Sequence, residues 1–342
     1  MFKDFKFTSE VNKIEDVYQI KITVPFEVKY ACVYLYDVDG DLVLIDAGLN
    51  MLEWSKLFYS ALGDIGVKIK DINYCFITHR HMDHIGLMKK FKRQNPDLQL
   101  MMHEITHSTI KWESNRHNHA EIEELAEENA NLMLKYGFSR EDVKNVAIMM
   151  SSWAKMAIYQ APDRILHDRD EININTNKIK IIWTPGHSLG HICIFDQNKR
   201  YLFSGDHILS RITPHIGNFI INPNLSDEHD FTNILQYYLR SLDIIDDLNS
   251  KIIFPAHQEI IYNPHERILE IKKHHETRLA EISSMIKNNP MTPRQISLKH
   301  FGELDQMNSY LGLSEVLGHL IYLEEEGKVK RIEKEGKILF SS

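Results

Sequence analysis

Thr78-His79-Arg80-His81-Met82-Asp83-His84 places three histidines and one aspartate within six consecutive positions. Imidazole and carboxylate are both good ligands for borderline transition metals such as zinc or iron. The run follows a short apolar stretch, Asn73-Tyr74-Cys75-Phe76-Ile77, and precedes Ile85-Gly86-Leu87-Met88-Lys89-Lys90-Phe91, which reads as the start of a helix. The ligands therefore belong to a loop at a strand end. A loop can aim successive side chains at one point, whereas a regular strand sends alternate ones to opposite faces. The competing reading is an incidental polar loop.

Three later segments weigh against an incidental loop. Thr184-Pro185-Gly186-His187, Ser204-Gly205-Asp206 and Pro255-Ala256-His257 each close a short apolar run, at Lys178 to Trp183, Arg200 to Phe203 and Lys251 to Phe254. With Asn73 to Ile77 that makes four strand ends carrying metal-competent residues. Such a layout assembles a site at one edge of a sheet sandwich.

On these residues the chain resembles the metallo-β-lactamase superfamily. The His-x-His-x-Asp-His signature stands intact as His79, His81, Asp83 and His84. Leu44-Ile45-Asp46-Ala47-Gly48 is similar to the first motif, Thr184 to His191 to the third, and Ser204-Gly205-Asp206 and Pro255-Ala256-His257 to the fourth and fifth. The resemblance covers roughly residues 15–265. It implies a four-layer αββα sandwich and two metal sites. His79, His81 and His187 would hold the first metal, Asp83, His84 and His257 the second, and Asp206 would bridge them. Two divalent cations, most simply zinc, with iron or manganese as alternatives, are the implied cofactors. A hydroxide bridging them is the implied nucleophile, and the metals polarise the scissile bond. Asp83 is expected to help orient that nucleophile as well as bind metal. Asp46 and His191 are expected to steady the ligand loops, as is His207, which also has a plain core role open to it.

Departures inside the superfamily narrow the branch. The best-known zinc β-lactamases carry cysteine at the position of Asp206 and lack a histidine after the equivalent of Asp83, unlike this chain. Flavodiiron proteins replace the second histidine by glutamate, and here that position is His81. The pattern looks instead like the glyoxalase II, lactonase and ribonuclease branches.

The chain of 342 residues is long enough for two domains and has 43% hydrophobic residues, ample for a packed core. Its net charge of −8 discourages general binding to nucleic acid or anionic membranes. The mixed start Met1-Phe2-Lys3-Asp4-Phe5-Lys6-Phe7 is no secretory h-region, and no apolar run approaches the ~20 residues of a spanning helix. Cys32, Cys75 and Cys193 all sit in apolar strand-like runs, and three cysteines give no disulfide framework. The expectation is a cytoplasmic protein acting on a small molecule, with homodimerisation open.

Strands are expected at Tyr18 to Thr23, Ala31 to Tyr36, Asp41 to Ile45 and Leu98 to Met102, and a helix over 50–62. Residues 104–160 read instead as a mostly helical insertion, with Asn118 to Tyr136 as one helix and Ser139-Arg140-Glu141-Asp142 as the capping box of the next. Met149, Met150, Trp153 and Met156 share one side of that helix, either as core or as an adaptable pocket wall. The acidic run from Glu121 to Glu128 reads as a solvated face. Strands resume over 178–204. The loop Ile212 to Gly217, leaving the bridging aspartate, is a candidate substrate wall, with His215 a substrate contact or a plain loop residue. Helices follow at Phe231 to Leu248 and Pro264 to Lys287, and no metal is assigned to His274 or His275.

The expected domains are a catalytic unit over 1–265, a linking helix over 266–289 and a small unit over 290–342. In the last, a proline-started helix at Thr292-Pro293, an apolar helix from Ser314 to Glu326 and a hairpin around Glu333-Lys334-Glu335 resemble a winged helix. It has seven Lys or Arg against eight Asp or Glu, a poor balance for phosphate contact. It therefore reads as a packing element, a dimer-forming element or a wall of the cleft.

Three functions compete. The leading one is a dinuclear metal hydrolase acting on a small carbonyl ester-type substrate, a thioester or lactone. A phosphodiesterase or endoribonuclease needs the same metals but also a basic groove, and the insertion and the C-terminus carry no basic tract or aromatic-basic interleaving. A binding protein on a hydrolase scaffold is disfavoured because all seven ligand positions are intact.

Overall fold

A computed structural model describes residues 5–155, 158–217 and 230–342, with the backbone alone at 116, 150–155, 306 and 307. Among the described residues a seven-stranded sheet runs β1 (Ser9–Ile14), β2 (Val17–Thr23), β3 (Tyr30–Val38), β4 (Asp41–Ile45), β5 (Ile72–Ile77), β6 (Gln99–His103) and β7 (Arg164–Leu166) in chain order. A second sheet of five strands has the order β12-β11-β10-β9-β8, from β8 (Glu171–Ile174), β9 (Asn177–Trp183), β10 (Ile192–Asp196), β11 (Tyr201–Gly205) and β12 (Ile252–Pro255).

Alternation along each strand explains why the sheets stack. In β3, Ala31, Val33 and Leu35 face one core, while Cys32, Tyr34 and Tyr36 face another. In β10, Ile192 and Ile194 join that second core and Cys193 and Phe195 a third. Strands buried on both faces read as continuous apolar runs, as these do. The middle core lies between the sheets, where Phe203 and Phe254 stack at 5.0 Å. The outer core of the first sheet is closed by α1 (Leu52–Ile65) through Trp54 and Phe58, with Phe91 of α3 (Met88–Gln94). That of the second is closed by α7 (Ile234–Asp247) and α8 (Pro264–Ile286) through Leu235, Tyr238, Ile268 and Ile271. Helix, sheet, sheet, helix is the layering expected from the sequence. Each such fully buried large side chain contributes on the order of 1.5–3 kcal/mol of transfer free energy.

The β3–β4 hairpin turns on Asp39 (φ 53°) and Gly40 (φ 95°), both left-handed, and the Gly40 N–H donates to the Asp37 carboxylate at 2.8 Å. Two left-handed central residues make the turn that matches strand twist. Strands β4, β5, β6 and β7 are mutually parallel, as are β11 and β12. With β9 antiparallel to β10 and β10 to β11, the C-terminal ends of β9, β11 and β12 share one edge.

The insertion comprises α4 (Glu104–Ser114), α5 (His119–Lys135) and α6 (Arg140–Lys155). Ser139 and Asp142 do form a reciprocal cap, the Asp142 N–H donating to Ser139 Oγ at 3.1 Å. On α5, Ile122 and Ala126 are buried while Glu121, Glu124, Glu127 and Glu128 face outward. Met149 is half-buried against the fourth core. The side chains of Met150 and Trp153, and all of Met156, lie outside the described residues.

After α8 come α9 (Pro293–Phe301), α10 (Gln306–Glu325) and a hairpin of β13 (Lys330–Lys334) and β14 (Lys337–Ser341). Thr292 and Gln295 cap α9 reciprocally at 2.8 and 3.2 Å, with proline at the first position. This region does not pack on itself alone. Met133, Tyr136, Phe138 and Val146 of the insertion share one core with Ile286, Ile296, Leu313, Leu317 and Phe340. Helix α10 also reaches two loops of the sandwich. Asn308 donates to Glu27 at 3.0 Å, and the Ser314 hydroxyl pairs with the His215 ring. No helix of the described residues is long and apolar enough to cross a membrane.

Three strands escaped the sequence reading. β1 carries polar and half-buried residues and sits at the sheet edge. β7 and β8 are three and four residues long, too short for periodicity to register.

Candidate metal centre

Four strand ends converge as the sequence implied. The segment after β5 supplies His79 and His81 from a loop and Asp83 and His84 from the one-turn helix α2 (Met82–Ile85), which begins three residues earlier than the sequence suggested, and the ends of β9, β11 and β12 supply His187, Asp206 and His257. Local backbone geometry fixes the loop. Ala47 N–H donates to the His84 carbonyl at 2.6 Å, Gly86 N–H to the Gly48 carbonyl at 2.7 Å, and Leu87 N–H to the Ala47 carbonyl at 2.9 Å. Gly86 permits this approach, since a Cβ there would lie 2.4 Å from the Asn50 nitrogen.

Two groups of donor atoms result. In the first, His81 Nδ1 stands 2.9 Å from His79 Nε2 and 3.0 Å from His187 Nε2, and Asp206 Oδ2 is 3.3 Å from His187 Nε2 and 3.9 Å from His79 Nε2. In the second, His84 Nε2 is 3.7 Å from Asp83 Oδ1 and His257 Nε2 is 3.6 Å from Asp83 Oδ2. Asp206 Oδ1 lies 3.6 Å from His84 Nε2 and 3.2 Å from His257 Nε2. The two oxygens of one carboxylate thus face two separate donor groups.

The distal ring nitrogens are held by fixed partners. His187 Nδ1 donates to the His215 carbonyl at 3.0 Å, and His257 Nδ1 to the Tyr30 carbonyl at 2.7 Å. His84 Nδ1 meets Asp46 Oδ2 at 2.8 Å, and His79 Nδ1 lies 3.1 Å from the Thr78 hydroxyl. These contacts leave each Nε2 free to offer a lone pair inward, while His81 presents Nδ1. Asp46 itself has a left-handed backbone (φ 69°) and accepts the Thr78 N–H at 2.8 Å and the Thr78 hydroxyl at 2.9 Å. His191 works on Asp206: its Nε2 accepts the Asp206 N–H at 3.1 Å, and its Nδ1 lies 2.8 Å from the Thr184 hydroxyl.

Charge follows from burial and neighbours. Burial, reinforced by the adjacent histidines, holds His79 and His81 well below the usual imidazole range, so both are neutral and can act as ligands. At His84 burial is outweighed by the Asp46, Asp83 and Asp206 carboxylates, which lift it to about 10, so its Nε2 offers a lone pair only when a cation displaces the proton. At His257 burial is likewise outweighed, chiefly by Asp206. Burial opposes ionisation of Asp206, but His257 and His84 keep it well below the ordinary carboxylate range. His191 is lowered by burial and His207, and His207 is pushed down to about 3 by burial and His187. His207 packs its ring 4.6 Å from Tyr238, whose hydroxyl donates to the His207 carbonyl at 2.9 Å.

The residues fit divalent cations. A tetrahedral ion with bonds of about 2.0–2.1 Å separates its ligands by about 3.3 Å, and the contacts within both groups scatter around that value. His84 Nε2 and Asp206 Oδ1 are buried without a hydrogen-bond partner, as atoms reserved for a cation are. Three carboxylates gathered round one cleft demand positive charge, and neutral imidazole with carboxylate suits zinc, iron or manganese alike.

Some supporting residues carried no sequence signal. The carbonyls of Tyr30 and His215 belong to unremarkable positions, and any residue could supply them. Arg80, between two ligand histidines, was readable as a lone cation. It pairs with the buried Glu113 of α4 at 2.7 Å and so ties the insertion to the metal loop. The His215 ring, a candidate substrate contact, is turned onto Ser314. A third metal-competent group, His275, Glu315 and His319, lies between α8 and α10. It closes on itself: His275 Nδ1 meets His319 Nε2 at 3.0 Å, His319 Nδ1 donates to the Glu315 carbonyl at 2.7 Å, and Arg278 pairs with Glu315 at 3.3 Å.

Comparison with known proteins agrees with this geometry. The family model described as the metallo-beta-lactamase superfamily matches residues 29–257. The Probable metallo-hydrolase YqjP of Bacillus subtilis is 28% identical over 315 residues, which is 91% of this chain and 93% of that protein. The human Acyl-coenzyme A thioesterase MBLAC2 is 28% identical over 193 residues, covering 51% of this chain and 61% of its own length. Among solved structures, a metallo-beta-lactamase family protein from Thermus thermophilus aligns with a TM-score of 0.76 and 25% identity over 96% of this chain and 99% of that one. A beta-lactamase domain protein from Burkholderia ambifaria aligns with a TM-score of 0.78 and 20% identity over 99% and 96%.

Proposed function

The chain belongs to the metallo-β-lactamase superfamily and is a metal-dependent hydrolase; from that premise we propose that it cleaves a small acyl substrate, a thioester or lactone, at a dinuclear centre of the glyoxalase II and lactonase type. The observation that carries the reading is Asp206, whose Oδ2 faces His187 Nε2 at 3.3 Å and whose Oδ1 faces His257 Nε2 at 3.2 Å. A carboxylate set between two donor groups is the bridge a metal pair requires. His79, His81 and His187 would hold one ion, and Asp83, His84 and His257 the other. Zinc is the simplest occupant, with iron or manganese compatible with the same donors. Two bound divalent cations supply an ionised water as nucleophile and a Lewis acid for the acyl oxygen.

The protein's own residues do the rest. Carbonyls of Tyr30 and His215 and the carboxylate of Asp46 lock three imidazoles in the tautomer that presents Nε2. His191 pins the Asp206 backbone and so fixes the base from which the carboxylate reaches both donor groups. Asp83, the most solvent-reaching of these carboxylates, would help hold the second ion and orient the attacking water. Residues 290–342, with the helix, helix, hairpin order of a winged helix, serve as a wall of the cleft rather than as a nucleic-acid reader. Their charge balance and the placement of α10 against both Glu27 and His215 favour that role. A relative named as an acyl-coenzyme A thioesterase supports a thioester over a lactone.

The test is initial rates on an acyl-coenzyme A thioester, an acyl-homoserine lactone and a phosphodiester, with zinc- and manganese-loaded protein side by side. Turnover confined to acyl substrates is expected. Turnover of the phosphodiester alone overturns the proposal in favour of a nuclease.

A further inference from the structure

We propose that Ser314 and Glu315 of α10 are positioning residues for the metal ligand His187, acting through the short segment His215-Ile216-Gly217. The proposal rests on the metal-centre reading above and extends it to residues some hundred positions away in the chain.

The connection can be followed atom by atom. His187 Nδ1 donates to the carbonyl of His215 at 3.0 Å, so the place of that carbonyl decides where Nε2 points. The segment is gripped from the other side. The His215 ring donates through Nε2 to the Ser314 hydroxyl, which itself donates to the Leu311 carbonyl at 3.0 Å. The next N–H, that of Ile216, points to Glu315 Oε2 at 3.4 Å. Gly217 (φ 130°) lies flat on Ser314, where a Cβ would come within 2.9 Å of the Ser314 Cβ, and its N–H returns to the Gly186 carbonyl at 3.4 Å beside the ligand. Three successive residues therefore each contact either Ser314 or Glu315.

The grip is itself braced. Arg278 of α8 holds Glu315 at 3.3 Å, its guanidinium lies 5.1 Å from the Phe301 ring, and His275 meets His319 one turn further along α10 at 3.0 Å. Positions 312–320 of α10 are all buried. A buried polar pair in an otherwise apolar helix is costly unless it has a task. Holding a ligand-orienting carbonyl in place is that task for Ser314 and Glu315, two of the three polar residues, with His319, that interrupt the run from Leu313 to Leu320. The partners of the other distal nitrogens described above, Thr78, Asp46 and Tyr30, belong to the sandwich itself. Among the described residues, the carbonyl that orients His187 is the one whose own residue is bonded to α10.

The test is a competition titration of zinc into the metal-stripped full chain against a chromophoric chelator, which resolves two uptake steps. His187→Ala identifies the step that belongs to the His79, His81 and His187 group. Glu315→Ala and Ser314→Ala are expected to weaken that step about tenfold or more, in the range seen when partners of metal ligands are removed, and to leave the other within threefold. Glu315→Gln, which keeps an acceptor for the Ile216 N–H, is expected to bind zinc as the wild type does. Leu320→Ala, buried in the same helix without contact to the segment, is expected to lower the melting temperature and leave both steps unchanged. A wild-type-like titration for both alanine variants overturns the proposal, as does equal weakening of both steps shared by Leu320→Ala. A wild-type chain that takes up no zinc overturns the metal-centre reading, and the relay with it.

Discussion

The Asp46 carboxylate lies 2.8 Å from Nδ1 of His84, and the same carboxylate accepts the N–H and hydroxyl of Thr78. One buried acid thereby ties the start of the ligand loop to its end. Both residues are almost wholly enclosed, and the link spans two strand ends, those of β4 and β5. The aspartate of the first motif, expected to steady the ligand loops, thus contacts the His84 ring directly.

Removing that clamp should be felt in metal binding before it is felt in folding. Asp46→Ala is expected to weaken zinc at the His84 group about 10–100-fold, with the circular dichroism spectrum retained. Zinc content after dialysis against graded chelator measures it. An unchanged retention profile would show that the ring needs no such partner.

The donor groups are expected to fail as units. His81→Ala and Asp206→Ala should lose metal and acyl turnover together, by several orders of magnitude in rate, because each atom has only one occupant available. Retained turnover in metal-depleted His81→Ala protein would sink the mechanism.

Gly205 has φ 49° and leaves no room for a side chain: a Cβ would sit 2.6 Å from His191 Nε2 and 2.9 Å from the Thr78 Cβ. Gly205→Ala should therefore cost about 1–3 kcal/mol, from overpacking and an unfavourable backbone angle together. Denaturant unfolding gives the value directly. A change below about 0.5 kcal/mol would mean that the β11 end relaxes freely.

Burial lifts the Glu315 carboxyl from 4.5 to about 7 even though Arg278 pulls the other way. A raised carboxyl pKa contributes stability that is fully present below the unfolded value and is lost as pH climbs through the folded value. The stability of the wild type relative to Glu315→Gln should thus fall between about pH 5 and pH 8, by up to about 3 kcal/mol. Parallel urea curves at those two pH values decide the matter, and a difference that stays level contradicts it.

Much of this site could be read before any coordinates. His79, His81, Asp83 and His84 stand so close together that one loop must carry them, and His187, Asp206 and His257 each announced themselves by closing an apolar run. Two of the strands that hold them were legible for a related reason: double-sided burial makes β11 and β12 nearly unbroken apolar stretches. What was not legible depends on long-range geometry. The carbonyls of Tyr30 and His215 orient ligands with atoms that every residue possesses. The shared core of Tyr136, Phe138, Leu313 and Phe340 joins segments nearly two hundred residues apart, and helical periodicity says only that each has an apolar side, not which partner covers it. Strands β7 and β8 were too short to show a period.

The central claim is that Asp206 bridges two metal ions held by this one chain. Its most direct test is metal stoichiometry by inductively coupled plasma mass spectrometry after equilibrium dialysis with zinc, on the wild type and on Asp206→Ala. Two zinc ions per chain in the wild type and a loss at both positions in the variant are expected. One ion or none in the wild type, or two ions undisturbed in Asp206→Ala, would contradict the account.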